Sequence, residues 1–154
     1  MSRKRIIVYP DADPDENSVL NEVGVDRLAA HGALRVHHGV PQSHEEYLSR
    51  IKDANALIVG WSLPAEVMAN APHLELVTFT GTGASDYIDL PAARTQGITV
   101  CNCPGYADTA VAEHAFALLL GTARNLSLLD HRMREGIWDQ DTPGIGLAGK
   151  QLGL

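Results

Sequence analysis

Cysteine, aromatic residues and positive charge are all scarce in this chain, and so are long apolar runs. The two cysteines, Cys101 and Cys103, sit too close along one extended segment for an easy disulfide. A closed zinc site needs four ligands, and no second cysteine pair exists to complete one. With no export signal, a reduced cytoplasmic compartment is expected. Aromatics make up 5% of the 154 residues, so the core must be mostly aliphatic. Twelve Lys and Arg face nineteen Asp and Glu, a net charge of −7. That balance argues against a nucleic-acid or anionic-membrane surface, either of which needs a basic face. No apolar run approaches the ~20 residues that span a bilayer. The stretch Ile6 to Tyr9 after the basic start is too short for a signal peptide and reads as a strand. What remains is ordinary globular material: 45% hydrophobic and 20% charged residues, enough for one domain or one domain plus part of another.

Short apolar runs alternate with amphipathic stretches. Ile6–Tyr9 is ended by Pro10, and Asp13-Pro14 opens a helix through Val19, Leu20 and Val23 that Gly24 breaks. A second helical piece, Val25 to His31, stops at Gly32, and Leu34 to His38 is a strand closed by Gly39. Ser43-His44-Glu45-Glu46 is a capping-box pattern, followed by Tyr47, Leu48 and Ile51 at helical spacing. Ala56 to Val59 is unbroken apolar, the kind of strand expected when both sheet faces are covered. Pro64 opens a short helix through Met68, and Leu74 to Phe79 is the fourth strand. Asp89 caps a helix ending at Gly97, and Ile98 to Val100 is the fifth strand. This alternation implies an α/β fold: a doubly wound five-stranded parallel sheet with its sites at the carboxyl ends of the strands. After the turn Asn102 to Gly105, Asp108 caps a long helix from Thr109 to about Arg124 with a buried stripe of Val111, Ala115, Leu118, Leu119 and Thr122. A shorter helix, Leu128 to Arg134, ends at Gly136, and Lys150 to Leu154 reads as the opening of another strand.

Two glycine motifs differ in promise. Gly144-Ile145-Gly146-Leu147-Ala148-Gly149 matches the dinucleotide fingerprint by letter and, with Lys150, nearly a P-loop. Both motifs need a strand before and a helix after, and neither is expected here, so the segment reads as a connector. Gly81-Thr82-Gly83 directly follows a predicted strand, so it belongs at the carboxyl edge of the sheet. Asp86 stands where the third fingerprint glycine would be and would repel a pyrophosphate. A compact bend of this kind can aim successive amides at a small anion such as a carboxylate, or can simply need glycine for its dihedrals. Glu113-His114 are neighbours on a helix that face different directions, and His31, His37 and His38 show no partner pattern. No nucleophilic triad stands out.

From Leu74 to Trp138 the chain resembles the NAD-dependent D-isomer-specific 2-hydroxyacid dehydrogenases, a group including phosphoglycerate, glycerate/hydroxypyruvate, D-lactate and formate dehydrogenases. Four blocks carry the resemblance in order: Thr80-Gly81-Thr82-Gly83-Ala84-Ser85-Asp86-Tyr87-Ile88-Asp89-Leu90; Gly97-Ile98-Thr99-Val100-Cys101-Asn102-Cys103-Pro104-Gly105-Tyr106; Ala110-Val111-Ala112-Glu113-His114-Ala115 with Leu118-Leu119-Leu120; and Arg134-Glu135-Gly136 with Trp138. The resemblance implies a flavodoxin-like substrate-binding domain over residues 1–101. Residues 102–154 would then form the hinge and the first helices of a Rossmann cofactor domain. It also implies that the Gly81-Thr82-Gly83 loop holds a substrate carboxylate and that Trp61 and Ser62 line the substrate pocket. Thr82 and, on helix 109–124, Val111 would approach the nicotinamide of NAD. Formate dehydrogenases carry asparagine where this chain has Ala107, which makes formate a poor substrate guess.

The resemblance implies that the family's cofactor fingerprint and its catalytic Arg, Glu and His lie beyond Leu154, with Lys150 to Leu154 as the lead-in to the fingerprint, so no catalytic residue and no metal ligand is assigned. The expectation is a fragment of an oxidoreductase exchanging hydride between NAD(H) and a D-2-hydroxy acid or 2-keto acid. The parent would be a cytoplasmic homodimer without nucleic-acid or membrane partners, and the 154-residue chain alone would be inactive. The rival expectation is a stand-alone, non-catalytic flavodoxin-like binding or interaction module.

Overall fold

The computed structural model of the chain describes residues 4–13 and 22–153. Five parallel strands, β1 (Ile6–Ala12), β2 (Ala33–His38), β3 (Ala56–Val59), β4 (Leu76–Phe79) and β5 (Thr99–Cys101), form one sheet in the order β2-β1-β3-β4-β5. This is the flavodoxin-like order, and the α/β reading of the sequence stands. Helices α1 (Glu22–Ala29), α2 (His44–Ile51), α3 (Ala65–Ala69) and α4 (Leu90–Thr95) supply the crossovers. The chain divides into two compact units, Met1–Tyr106 and Ala107–Leu154. Within the first unit, residues 102–103 bond to residues 81–82, through Cys103 N to Gly81 O and Asn102 Nδ2 to Thr82 O.

Parallel register aligns the core. Val8 stands opposite Leu57, Leu57 opposite Val77, and Val59 opposite Phe79. All five side chains lie in one cluster with Tyr47 and Ile51 of α2, Val67 and Met68 of α3, and Ala93 of α4. On the opposite face Ile7 is buried, but its register neighbours Ala56 and Leu76 are half-buried and exposed. Continuous apolar sequence in β3 therefore does not mean full cover on both faces: Leu57 and Val59 are buried, whereas Ala56 and Ile58 are half-buried.

Several local expectations change in the fold. β1 runs on through Pro10 and Asp11 to Ala12, with a register shift between Tyr9 and Ala12 against β2. Proline lacks the N–H a regular ladder needs, and an irregularity is where a strand tolerates it. Helix α1 passes through Gly24 unbroken. A lone glycine costs only ~1 kcal/mol relative to alanine, which packing against β2 offsets. The expected helix start at Pro14, with Val19 and Leu20, lies outside the described residues. Ser43 caps α2 as expected, its Oγ accepting from Glu46 N at 3.1 Å, but Glu46 reaches back one residue further, to Gln42 N at 2.8 Å. Asp89 Oδ1 caps α4 through Ala92 N at 2.9 Å, and Gly97 follows at φ +72°.

In the second unit, α5 (Asp108–Ala123) begins one residue early, with Ala107 at its N-cap and no side-chain cap from Asp108. Its expected stripe is not buried: Val111 is 63% exposed, Leu118 58%, and only Ala123 is fully covered. The helix is apolar on all sides, so periodicity had no single face to select. Asn125, at φ 54°, turns the chain into α6 (Leu126–Arg134). The loop after α6 is held by an Arg132–Asp139 ion pair and by Asp139 Oδ1, which accepts from Asp141 N and Thr142 N. Pro143 to Gly153 form neither helix nor strand, so the strand expected to open at Lys150 is not formed.

Leu57→Ala should lower unfolding stability by about 2–5 kcal/mol, the usual cost of emptying a closed core site. Ile58→Ala, on the less covered face, should cost less than half as much. Urea denaturation of both variants measures the difference.

Candidate functional site

The strand order places a topological switch point between β1 and β3, where the chain leaves β1 for β2 on one side and later returns to β3 on the other. Crevices at the carboxyl ends of strands beside such a point are where open α/β sheets take ligands. Three segments meet there: the end of β1, the turn Gly60 to Ser62 after β3, and the bend Gly81 to Gly83 after β4.

The turn after β3 is fixed at three points. Asp11, 1% exposed, accepts from Gly60 N through Oδ1 at 3.0 Å and from Trp61 N through Oδ2 at 2.8 Å. Tyr47 Oη donates to Ser62 O at 2.9 Å. Burial pushes the Tyr47 hydroxyl far above its ordinary range, so it remains a donor at any physiological pH. Burial also raises the Asp11 carboxyl, against the lowering effect of the two backbone bonds and of the nearby Arg50. Arg50 is itself engaged, donating to Pro10 O and Gly39 O and pairing with Glu46.

The bend after β4 has a defined polarity. Gly81 O accepts from Cys103 N at 2.9 Å, and Thr82 O accepts from Asn102 Nδ2 at 2.6 Å. The amides of Gly81, Thr82 and Gly83 donate to no group among the described residues. Gly81 is required by a close approach rather than by a left-handed backbone: a Cβ there would stand 2.6 Å from the Phe79 ring. That ring stacks on Tyr87, centroids 5.0 Å apart. Gly83 has φ −94°, and a Cβ would meet only Asp86 Oδ2 at 3.5 Å, so neither glycine is there for positive φ.

A concavity of about 300 Å³ is lined by Gly60, Trp61, Thr80, Gly81, Thr82, Gly83 and Tyr106, with Phe79 and Tyr87 in its wall. The structure thus brings Trp61 and Gly81-Thr82-Gly83 together. Ser62 lines an adjoining cavity that shares Trp61 and has Asp11, Gln42, Ser43, His44 and Tyr47 in its walls. Val111 is on α5 in the second unit. Sequence reasoning missed Asp11, which lies past the Pro10 expected to end the first strand, and Tyr47, which was read only as part of the apolar spacing of a helix. The signal for Asp11 was an acid two positions past the apolar run Ile6–Tyr9. Among the described residues no group of three or more His, Cys, Asp or Glu could hold a metal ion, and no helix is long and apolar enough to cross a membrane.

Asp11→Asn keeps the shape but turns one acceptor into a donor facing a backbone N–H, so it should cost about 1–3 kcal/mol. Because the folded carboxyl is raised, Asp11 favours the folded state most in acid, and that contribution is lost as pH rises from the ordinary carboxylate value of 3.8 through the folded one. Urea denaturation from pH 4 to 7 should therefore show a flatter pH dependence for the variant than for the wild type.

The family model for the D-isomer specific 2-hydroxyacid dehydrogenase catalytic domain matches residues 6–139. A D-3-phosphoglycerate dehydrogenase of Methanocaldococcus jannaschii is 36% identical over 153 residues, covering 97% of this chain and 27% of its own length. A glyoxylate reductase of Thermofilum pendens is 34% identical, covering 88% of this chain and 42% of its own. The chain thus spans less than half the length of these relatives. Among solved structures, an acyclic imino acid reductase in complex with NADPH and D-Arg superposes with a TM-score of 0.77 at 29% identity, covering 91% of this chain and 44% of that one. An NAD-dependent formate dehydrogenase from Staphylococcus aureus in complex with NAD gives 0.67 at 27% identity, covering 89% and 43%. The order of the strands, the bend after β4 and the match from β1 through α6 lead to one assignment: this chain belongs to the D-isomer-specific 2-hydroxyacid dehydrogenase family.

Proposed function

We propose that Gly81, Thr82 and Gly83 hold the carboxylate of a small 2-keto or D-2-hydroxy acid, with Trp61 and Ser62 lining the pocket for the rest of the molecule. The supporting observation is the polarity of the bend, whose carbonyls are tied back while three consecutive amides donate to nothing described. Charge-assisted bonds of this type contribute roughly 1.5–3 kcal/mol each. Three neighbouring donors on one bend can supply enough such bonds to hold a molecule of this size.

On this reading the chain is the substrate-binding part of a cytoplasmic, homodimeric oxidoreductase that exchanges hydride with NAD. The roles of Thr82 and Val111 near the nicotinamide belong to the same proposal. The residues present do not themselves form a dinucleotide cradle. Gly144 to Gly149, the one fingerprint-like run, has neither a strand before it nor a helix after it among the described residues. Phosphate binding at such a motif depends on amides at a helix start, so no step is routed through these glycines. The rival reading, a non-catalytic flavodoxin-like module, is not favoured, because the family match continues past the first unit through α6.

Titrating the ¹⁵N-labelled 154-residue chain with pyruvate or glyoxylate should move the Gly81, Thr82 and Gly83 amide resonances ahead of all others. Saturating acid that leaves those three unmoved would sink the assignment. The same polypeptide, mixed with NADH and glyoxylate or hydroxypyruvate, should show no oxidation at 340 nm above background.

A further inference from the structure

We infer that the acid bound at Gly81 to Gly83 carries a single negative charge: its tail is short and uncharged or cationic, and phosphorylated and dicarboxylic acids are rejected. This rests on the carboxylate reading above and specifies the substrate class of that site.

The argument begins with where charge falls along the chain. Five described segments end or follow the strands at the carboxyl edge of the sheet: residues 11–13, 39–43, 60–64, 80–89 and 102–107. Together these described segments contain four acids, Asp11, Asp13, Asp86 and Asp89, and no Lys or Arg. The cations of this unit lie elsewhere in the sequence, in the leads into β1 and β3, on β2, and on helices α1, α2 and α4. Arg50 is the cation that reaches towards this edge, and its donors are taken by Pro10 O, Gly39 O and Glu46.

The tail has a defined place to go. Beyond Trp61, the cavity of about 190 Å³ that shares this wall suits only a short group. Its polar lining is Asp11, Gln42, Ser43, His44 and Ser62, with the Tyr47 hydroxyl committed to Ser62 O. Asp11 lies in its lining with both oxygens already accepting N–H bonds. His44 is the one lining group that can become positive, and Glu66 Oε2 stands 3.5 Å from its Nε2. A phosphate or second carboxylate entering here would shed water, would find no Lys or Arg in the lining, and would meet the buried Asp11 and a His44 already faced by Glu66. That is the arrangement in which desolvation of an anion goes unrepaid.

The first carboxylate escapes this penalty because its partners are in direct contact. Asp86, the acid nearest the bend, lines a different concavity with Leu63, Pro64 and Asp89. Three amides at hydrogen-bond range outweigh exposed charges screened by water. The inference separates this chain from relatives whose names specify a phosphorylated acid. The lining groups are also exchangeable: Ser62 is exposed, so a larger side chain can be placed there without disturbing the core.

The test is a pair of parallel titrations of the ¹⁵N-labelled chain, with hydroxypyruvate and with 3-phosphohydroxypyruvate, read at the Gly81, Thr82 and Gly83 amides. Hydroxypyruvate should bind at least tenfold more tightly. If the phosphorylated acid moves the same amides with equal or higher affinity, the charge rule is overturned while the carboxylate reading survives. If hydroxypyruvate leaves them unmoved, the carboxylate reading fails and the rule falls with it. In Ser62→Arg, a guanidinium at the cavity wall should shift the affinity ratio at least tenfold towards the phosphorylated acid. A ratio that stays put in the folded variant shows that charge is not what discriminates and overturns the inference.

Discussion

Two hydrogen bonds decide which way the bend after β4 faces. Cys103 N and Asn102 Nδ2, from the segment leaving β5, take the carbonyls of Gly81 and Thr82. A peptide unit is rigid, so fixing its carbonyl on one side turns the next amide to the other. The same bend without these bonds would be a flexible glycine turn with no preferred polarity. With them, and with the Phe79 ring packed close against Gly81, the bend is held in place with its carbonyls engaged. On the proposed reading, amides fixed in this way would need no reorganisation when charge is placed beside them.

The wall opposite depends on a buried charge. Asp11 is taken out of water at the end of a central strand, a costly position unless its lone pairs are used. It uses them on Gly60 and Trp61, whose amides would otherwise be without partners where the chain leaves β3. Tyr47 completes the tether from α2, so the turn that carries Trp61 is pinned to β1 and to a helix at once. The hydrophobic cluster beneath, from Val8 through Leu57 and Val77, holds β1, β3 and β4 in the register that brings these groups to one edge.

Much of this was readable in residue order. The alternation of apolar runs with capped helices announced a parallel sheet, and Ser43 and Asp89 sit at helix starts as their side chains require. Gly81 to Gly83 were legible as a site candidate because they directly follow a strand. Trp61 and Ser62 were legible only through resemblance to a family, since nothing local distinguishes them. Asp11 escaped because an acid beside proline looks like a turn until the strand is seen to continue past it. Gly24 misled because helix breaking is a propensity that packing can override, and α5 misled because a helix apolar on every side has no face for periodicity to choose.

Residue order by itself determined the fold class, the acidic character of the carboxyl edge and the position of the glycine bend, because each follows from local pattern and composition. Tertiary structure alone decided that Asp11 and Tyr47 would anchor the turn after β3, and that the segment after β5 would orient the amides after β4. Those contacts join residues that are between 15 and 50 positions apart. Only the register of five strands brings such distant groups to within hydrogen-bonding distance, and that register is a property of the packed sheet rather than of any one segment.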